Sequence, residues 1–214
     1  MEDIIEELEA KARAAKAASH RLAYLSTEVK NKALHNIFDD LLTKRDEILV
    51  ANQIDYKEAE ASGMSAAMLD RLMLNSSRLE SIAQDVLAVA ALPDPVGEVF
   101  DMRTLPNGLQ VGRKRVPLGV IGAIYESRPN VTIDISVLCL KSGNAIILRG
   151  GKEAIHSNSA LAGVVQQASV RAGVPDGAVQ FIENTDRTLV NHLLKMNGIF
   201  DLIIPRGGAG LIKF

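Results

Sequence analysis

The segment from Val116 to Asn158 constrains the fold more than any other part of this 214-residue sequence. Two short apolar runs, Leu118–Tyr125 and Ala145–Arg149, each end in a loop, and a segment long enough for a helix separates them. This alternation predicts strands of a mainly parallel sheet that are buried on both faces and joined by helices. Ligands bind beyond the carboxyl ends of such strands, so the two loops are the first candidates for a functional site.

The same alternation continues towards the end of the chain. Further strands are predicted at Val179–Glu183 and Leu202–Pro205. Gly143 and Gly173 are the predicted helix ends, because glycine readily adopts the left-handed conformation that terminates many helices. The pattern indicates an α/β region with right-handed crossovers between its strands. Its helices are predicted to begin near Thr132, Glu153 and Asp186.

Residues 1–95 are predicted to form a helical region. Apolar side chains recur there at helical spacing, as at Leu8 and Ala12. The segment Ser77–Glu80 fits a capping box at the start of the last of these helices. Pro93-Asp94-Pro95 then ends the region, because proline cannot continue the interior of a helix.

Residues 96–115 are predicted to form a β-hairpin around the dipeptide Asn107-Gly108, which is one of the strongest short signals for a turn. The predicted strands are Val99–Thr104 and Leu109–Arg115, and both are rich in polar residues. The residues leave two interpretations open. The hairpin is either an arm that pairs with a second copy of the chain or a surface hairpin of the monomer.

Composition restricts the class of protein and its partners. Hydrophobic residues make up 47% of the sequence and charged residues 23%, as in ordinary globular proteins, and the net charge is −2 at pH 7. That charge gives no support for binding to nucleic acid or to an anionic membrane. A single cysteine excludes an internal disulfide and a multi-cysteine metal site, and it favours a cytoplasmic location. No apolar run is long enough to span a bilayer.

Two glycine-rich loops follow predicted strands and carry basic residues. The first is Arg149-Gly150-Gly151-Lys152, and the second is Arg206-Gly207-Gly208. Neither belongs to a standard nucleotide motif, because Ile146 and Glu153 break the P-loop pattern and Lys213 breaks the dinucleotide fingerprint. A single loop of this kind is explained by a tight turn between a strand and a helix, without any ligand. Two of them at one sheet edge favour a nucleotide phosphate, bound by cations and by helix N-terminal amides.

The loop over residues 126–130 is unusually polar for a segment that follows an apolar strand. Pro129 restrains Arg128 to an extended conformation, and Arg128 either binds an anionic substrate or forms a surface salt bridge. Asn130 is able to donate its amide N–H to an oxyanion, but the local sequence favours an N-cap for the following helix. Cys139 lies in the middle of that helix and is interpreted as a small buried hydrophobic residue rather than a nucleophile.

Three segments of the sequence together resemble one family. They are Tyr125–Val131, with the sequence YESRPNV, the stretch Arg171–Gly177, and Ile204–Gly208, with the sequence IPRGG. They resemble gamma-glutamyl phosphate reductases, also called glutamate-5-semialdehyde dehydrogenases, of the aldehyde dehydrogenase superfamily. The resemblance extends over the whole chain, including the helical region and the hairpin. It implies an aldehyde-dehydrogenase-like fold with a Rossmann-like nucleotide-binding region over residues 116–214.

The resemblance also implies an activity and its residues. The activity is NADPH-dependent reduction of L-glutamate 5-phosphate to L-glutamate 5-semialdehyde with release of phosphate, a cytoplasmic step of proline biosynthesis. Asn130 falls on the position of the asparagine that stabilises the oxyanion, which reverses the local preference for a cap. Ser127 and Arg128 are expected to bind the substrate. The residues expected to bind NADP(H) are Arg149, Gly150, Lys152, Arg206, Gly207 and Gly208.

The same resemblance implies partners and a departure from the family. The expected partner is glutamate 5-kinase, and a second copy of the chain is a further partner if the hairpin is a pairing arm; no metal is expected. The family's catalytic cysteine belongs to a further domain that these 214 residues do not include, and Gly208–Phe214 resembles the first turns of an interrupted helix. We therefore expect the cofactor-binding half of the enzyme, inactive by itself. Two alternatives stay open: a non-catalytic nucleotide-binding or assembly module, and another acylating aldehyde dehydrogenase.

Overall fold

The computed structural model describes residues 2–186 and 188–208 of the chain. Within them, helices fill the first part of the chain, as predicted. Their bounds are Glu2–Leu22 (α1), Thr27–Thr43 (α2), Arg45–Ala61 (α3), Ala66–Leu72 (α4) and Ser76–Ala91 (α5). The predicted interrupted helix from Gly208 to Phe214 extends outside the described residues. None of the described helices is both long enough and apolar enough to cross a membrane.

The predicted hairpin is confirmed. Its strands, Val99–Thr104 (β1) and Gln110–Lys114 (β2), form an antiparallel sheet that is separate from the main sheet. Gly108 has a φ of +86°, the left-handed conformation expected of an Asn-Gly turn. Most side chains of both strands are exposed. The hairpin therefore lies on the surface of the described chain, which agrees with both interpretations of its role.

Strands and helices alternate after the hairpin, and two of the helices end at the predicted glycines. Gly143 and Gly173 have φ values of +74° and +100°. The strands are Val120–Tyr125 (β3), Ala145–Arg149 (β4), Val179–Phe181 (β5) and Leu202–Arg206 (β6). The helices are Asn130–Lys141 (α6), Ile155–Ala172 (α7) and Thr188–Leu194 (α8), and a 3₁₀ turn over Lys152–Ala154 precedes α7.

The main sheet has the strand order β5-β4-β3-β6, and all its described pairings are parallel. The chain runs outward from β3 to β4 and β5, and it then crosses back to the other side of β3. The direction of winding therefore changes between β3 and β6. This topology confirms the predicted α/β fold, and the switch point is where sheets of this type bind ligands.

The helices cover the sheet and share its core. Helices α6 and α7 contact each other, and the usual right-handed crossover would place both on one face of the sheet and α8 on the other. Helix α1 lies beside α8, since Glu9 and His192 approach to 3.5 Å, and it packs against β4. Helices α2 and α5 pack outside α7 and α6. Leu34 of α2, Val86 of α5 and Ile146 of β4 belong to one continuous buried cluster, so the helical region and the sheet form one core.

Some details differ from the predictions, among them the start of β3 at Val120 rather than at Leu118. Helix α5 begins at Ser76, and Asn75 caps it by accepting the Arg78 N–H at 2.8 Å. The predicted capping box at Ser77–Glu80 is therefore wrong: asparagine is as good an N-cap as serine, and it stands two residues earlier. The third strand of the α/β region is also shorter than predicted, because β5 ends at Phe181.

A buried ion pair anchors the proline-rich segment between α5 and the hairpin. Lys30 is only 1% exposed, and its ammonium pairs with the carboxylate of Asp94. Asp94 also accepts the Thr27 hydroxyl at 2.7 Å and the Val96 N–H at 3.0 Å. Burial acts to raise the pKa of Asp94, but the hydrogen bonds from Lys30, Thr27 and Val96 outweigh it and lower that pKa. The carboxylate is thus held ionised in the folded chain.

We expect Asp94→Asn to lower the free energy of unfolding by about 3–5 kcal/mol at pH 7, because it leaves the buried Lys30 ammonium without its partner. The pKa of Asp94 is lower in the folded chain than in the unfolded chain. Its stabilisation is therefore present above about pH 4 and is lost as the pH falls through the folded-state pKa. Urea denaturation over a pH series measures both effects.

Asp101→Asn is the matched control, because the Asp101 carboxylate lies 3.7 Å from Arg113 and both side chains are exposed. Its effect on the free energy of unfolding should stay within about 1 kcal/mol. Equal losses in the two variants would contradict the role given to the Lys30–Asp94 pair.

Candidate functional site

Three loops meet at the carboxyl edge of the main sheet. Ile124 lies opposite Arg149 in the β3–β4 pairing, and Tyr125 lies opposite Arg206 in the β3–β6 pairing. The Glu126 N–H donates to the Arg206 carbonyl at 3.3 Å, and the Gly208 N–H donates to Glu126 Oε2 at 3.1 Å. The polar loop and both glycine-rich loops therefore begin level with one another, as the sequence predicts.

A side-chain contact that the sequence analysis missed joins two of these loops. Glu153 Oε1 accepts the Ser127 N–H at 2.6 Å and the Ser127 hydroxyl at 2.8 Å. Ser127 has a φ of +49°, a conformation that costs energy for residues other than glycine and needs such support. A β-carbon on Gly151 would lie 2.2 Å from Glu153 Oε1, so glycine makes room for the returning carboxylate.

A buried polar chain supports the same loops from below. The Tyr125 and Thr132 hydroxyls lie 2.7 Å apart, and Thr132 Oγ1 donates to Asn158 Oδ1 at 2.9 Å. Burial raises the pKa of Tyr125, so its hydroxyl stays neutral. A β-carbon on Gly150 would lie 2.1 Å from Asn158 Nδ2. Gly150 is itself buried and is therefore required by internal packing.

Asn130 lies in the first turn of α6 and does not cap that helix. It is the first residue of α6, and the position before the helix belongs to Pro129, which makes no side-chain cap. The Asn130 amide Nδ2 instead donates to Asp134 Oδ2 at 2.9 Å. The local interpretation of Asn130 as an N-cap is thus wrong, because proline already supplies a helical φ of −59° one residue earlier.

The cations at this edge differ in exposure. Arg149 is only 8% exposed, and its Nη2 donates to the Thr185 carbonyl at 2.8 Å, so it reaches the segment after β5. Lys152, Arg206 and Arg128 are exposed. Among the described residues, Arg128 has no ion-pair partner, so the surface salt bridge considered for it is not formed.

Helix α3 also reaches the site, although it lies about one hundred positions earlier in the sequence. Asp55 accepts the backbone N–H groups of His156 at 3.1 Å and Ser157 at 2.7 Å, and it caps α7 from outside. Burial raises the pKa of Asp55, and these hydrogen bonds oppose the rise.

A cavity of about 480 Å³ opens between α3 and the loops. Its polar lining includes Asp55, Glu58, Glu126, Ser127, Lys152 and Glu153.

Cys139 does not belong to the site. It is buried in α6, and burial raises the pKa of its thiol to about 12. The structural interpretation of this residue is confirmed, since a thiol with that pKa is not a nucleophile at neutral pH. Within residues 2–186 and 188–208, no group of three or more His, Cys, Asp and Glu side chains is arranged to hold a metal ion.

The fold and the sequence together define the class of protein. The family model described as "Aldehyde dehydrogenase family" matches residues 5–204. The chain belongs to the aldehyde dehydrogenase family. An engineered glycolyl-CoA reductase with bound NADP+ shares the fold with a TM-score of 0.70 at 19% identity, and the match covers 96% of this chain and 43% of that one.

Two proteins with higher sequence identity to this chain are both named gamma-glutamyl phosphate reductase. Gamma-glutamyl phosphate reductase from Dehalococcoides mccartyi is 64% identical over 214 residues, which are all of this chain and 50% of the relative. The crystal structure of gamma-glutamyl phosphate reductase from Thermotoga maritima matches with a TM-score of 0.94 at 45% identity, over 97% of this chain and 50% of that one. These matches confirm the resemblance found in the sequence. The chain spans about half the length of these relatives.

We expect Glu153→Ala to lower the free energy of unfolding by about 1–3 kcal/mol, because it removes the acceptor of both Ser127 hydrogen bonds. Hydrogen exchange at the Ser127 amide should become faster in the same variant. Glu183→Ala is the control, since this exposed carboxylate accepts one hydrogen bond, from Ser159 at 3.3 Å. The control should change stability by less than about 0.5 kcal/mol. An unchanged rate of hydrogen exchange at the Ser127 amide in Glu153→Ala would refute the link between Ser127 and Glu153.

Proposed function

We propose that the chain is the cofactor-binding half of an NADP(H)-dependent gamma-glutamyl phosphate reductase. The whole enzyme would reduce L-glutamate 5-phosphate to L-glutamate 5-semialdehyde and release phosphate. The observation that carries the proposal is the convergence of three loops at the switch point between β3 and β6. The names of the relatives in Dehalococcoides mccartyi and Thermotoga maritima support the choice of substrate.

The residues at this edge fit a dinucleotide. The Gly208 N–H already donates to a carboxylate oxygen of Glu126, so this backbone donor is directed at an anionic oxygen. In the proposal a pyrophosphate oxygen takes that place beside Gly207 and Gly208, and Arg206 adds positive charge. Gly150 is buried, and its contact with the cofactor stays a prediction from the resemblance. When bound, NADP(H) supplies the hydride, and the protein supplies its orientation.

Lys152 is the residue that we assign to the 2′-phosphate. Its side chain is exposed at the start of the 3₁₀ turn after β4, whereas Arg149 is buried and bonded to Thr185. Arg149 then lies behind the ribose and holds the loop after β5 in place. This division of roles follows from exposure, because a phosphate group needs a cation that it is able to reach.

Asn130 is assigned to the reacting oxygen of the acyl group. A side-chain amide has two N–H donors, and Asp134 takes one of them. The second is available for an oxyanion, which would be stabilised by a donor that is already held in place. Arg128 is the better candidate for the substrate phosphate, since the Ser127 hydroxyl is donated to Glu153. Ser127 then contributes by shaping the loop.

The hairpin is assigned to self-association. Val99 and Met102 of β1 and Leu109 before β2 are 55%, 56% and 57% exposed, and the outer edges of this two-stranded sheet have no strand partner within the described residues. Pairing with a second copy of the chain would cover it. A complex with glutamate 5-kinase and a cytoplasmic location stay predictions from the sequence.

We expect the chain to bind NADPH more tightly than NADH, and Lys152→Ala to weaken NADPH binding about ten-fold with little change for NADH. The lost interaction is between an ammonium and the 2′-phosphate, which NADH lacks. Isothermal titration calorimetry of both cofactors measures the difference. Lys114→Ala is the control, because this lysine is exposed on the hairpin. Equal losses for the two cofactors would remove Lys152 from the 2′-phosphate site.

We expect the 214-residue chain alone to have no reductase activity, because its cysteine is buried and its thiol pKa is raised to about 12. NADPH oxidation with L-glutamate 5-phosphate measures this. Turnover that disappears in Cys139→Ala would overturn the expectation.

A chimera that carries this chain in place of the matching half of the Dehalococcoides mccartyi relative should be active. An inactive but folded chimera would count against the proposed function.

A further inference from the structure

One side of α6 is left open at the edge of the site. Asn130, Asp134 and Leu138 follow one another at intervals of four residues, so they lie on the same side of the helix. Asn130 and Asp134 are half-buried, and Leu138 is 52% exposed. The residues between them that point to other sides, such as Ile133 and Val137, are buried. This open stripe starts at the proposed oxyanion donor and runs away from it along α6.

The Asp134 carboxylate is the only charged group of that stripe. Its Oδ2 accepts the Asn130 amide at 2.9 Å, and this is its one hydrogen bond within the described residues. A carboxylate has room for about four such bonds. Two charged neighbours act on it, the carboxylate of Asp85 on α5 and the guanidinium of Arg206 at the end of β6. A half-buried carboxylate with spare acceptor capacity favours a cationic hydrogen-bond donor as its ligand.

The contact between Asn130 and Asp134 leaves room for both ends of the proposed substrate. Asn130 Nδ2 and Asp134 Oδ2 lie 2.9 Å apart, so two ligand atoms that each form a hydrogen bond to one of them are separated by at most roughly 9 Å. In an extended L-glutamate 5-phosphate, the acyl carbon and the α-nitrogen are separated by four bonds, or roughly 5 Å. With its acyl oxygen on Asn130, the substrate would therefore bring its α-ammonium to Asp134.

We propose that Asp134 binds the α-ammonium group of the substrate and so makes the site specific for an α-amino acid that carries its acyl group on the side chain. This inference rests on the proposed function. It gives Asp134 two contacts, one with Asn130 and one with the substrate. A role limited to positioning Asn130 is the competing explanation, and the two differ in their dependence on the substrate amine.

The test uses the chimera described above in the oxidative direction, with NADP+ and phosphate. L-glutamate 5-semialdehyde is compared with 5-oxopentanoate, which has the same chain and aldehyde but no amine. In Asp134→Asn, we expect kcat/KM to fall about 10- to 100-fold for the amino substrate. For 5-oxopentanoate it should change by less than about three-fold, because no ammonium contact exists to lose. Asp46→Asn, at an exposed position of α3, is the control.

Each outcome decides between the explanations. An equal fall in kcat/KM for the two substrates would show that Asp134 only positions Asn130 and would overturn the inference. An unchanged kcat/KM for both substrates would overturn it as well. If the parent chimera turns over neither substrate, the proposed function fails, and a binding measurement on the 214-residue chain decides about Asp134. That measurement compares L-glutamine with 5-amino-5-oxopentanoate, which is the same molecule without the α-amino group. L-glutamine should shift the NMR signal of the Asn130 side-chain amide more than 5-amino-5-oxopentanoate does. The inference would be overturned if the two compounds gave equal shifts, or if the difference between them were unchanged in Asp134→Asn.

Discussion

Hydrogen bonding of β3 on both of its edges is the interaction on which the candidate site depends. Pairing with β4 sets Ile124 level with Arg149, and pairing with β6 sets Tyr125 level with Arg206. Because side chains alternate along a strand, a slip of one residue in either pairing would turn buried side chains towards the wrong face. The apolar run of β3, buried along its whole length, resists such a slip. The energy of the core thereby fixes the relative positions of three polar loops.

The glycines of the first loop show why a sequence motif and a ligand site are not the same thing. Gly150 and Gly151 would be explained completely by the approach of Asn158 and Glu153, without any ligand. The glycine argument for nucleotide binding is therefore weaker in the structure than in the sequence. What strengthens the assignment is topology, since the loops meet at the one place where the sheet changes its direction of winding.

Elements were predictable from the sequence where a local pattern determines them. A continuous apolar run between two glycines predicted β4 without error, and the Asn-Gly turn predicted the hairpin. The side-chain links of the site were not predictable in this way. Glu153 meets Ser127 across 26 positions of sequence, and this contact exists only because β3 and β4 are neighbours. The link from Asn130 to Asp134 had a local signal, a spacing of four residues in a helix, that the cap interpretation obscured.

The role of α3 changes the physical account of how this edge would hold a phosphate. Helix N-terminal amides attract anions, and the sequence therefore pointed to the start of α7. In the structure, the amides of His156 and Ser157 are already satisfied by Asp55. The anion at this helix terminus belongs to the protein itself, so a nucleotide phosphate near Gly150 must depend on Lys152 and on loop backbone rather than on the helix. Since Asp55 belongs to the helical region, the carboxyl edge of the sheet and that region are parts of one structure, which agrees with their common core.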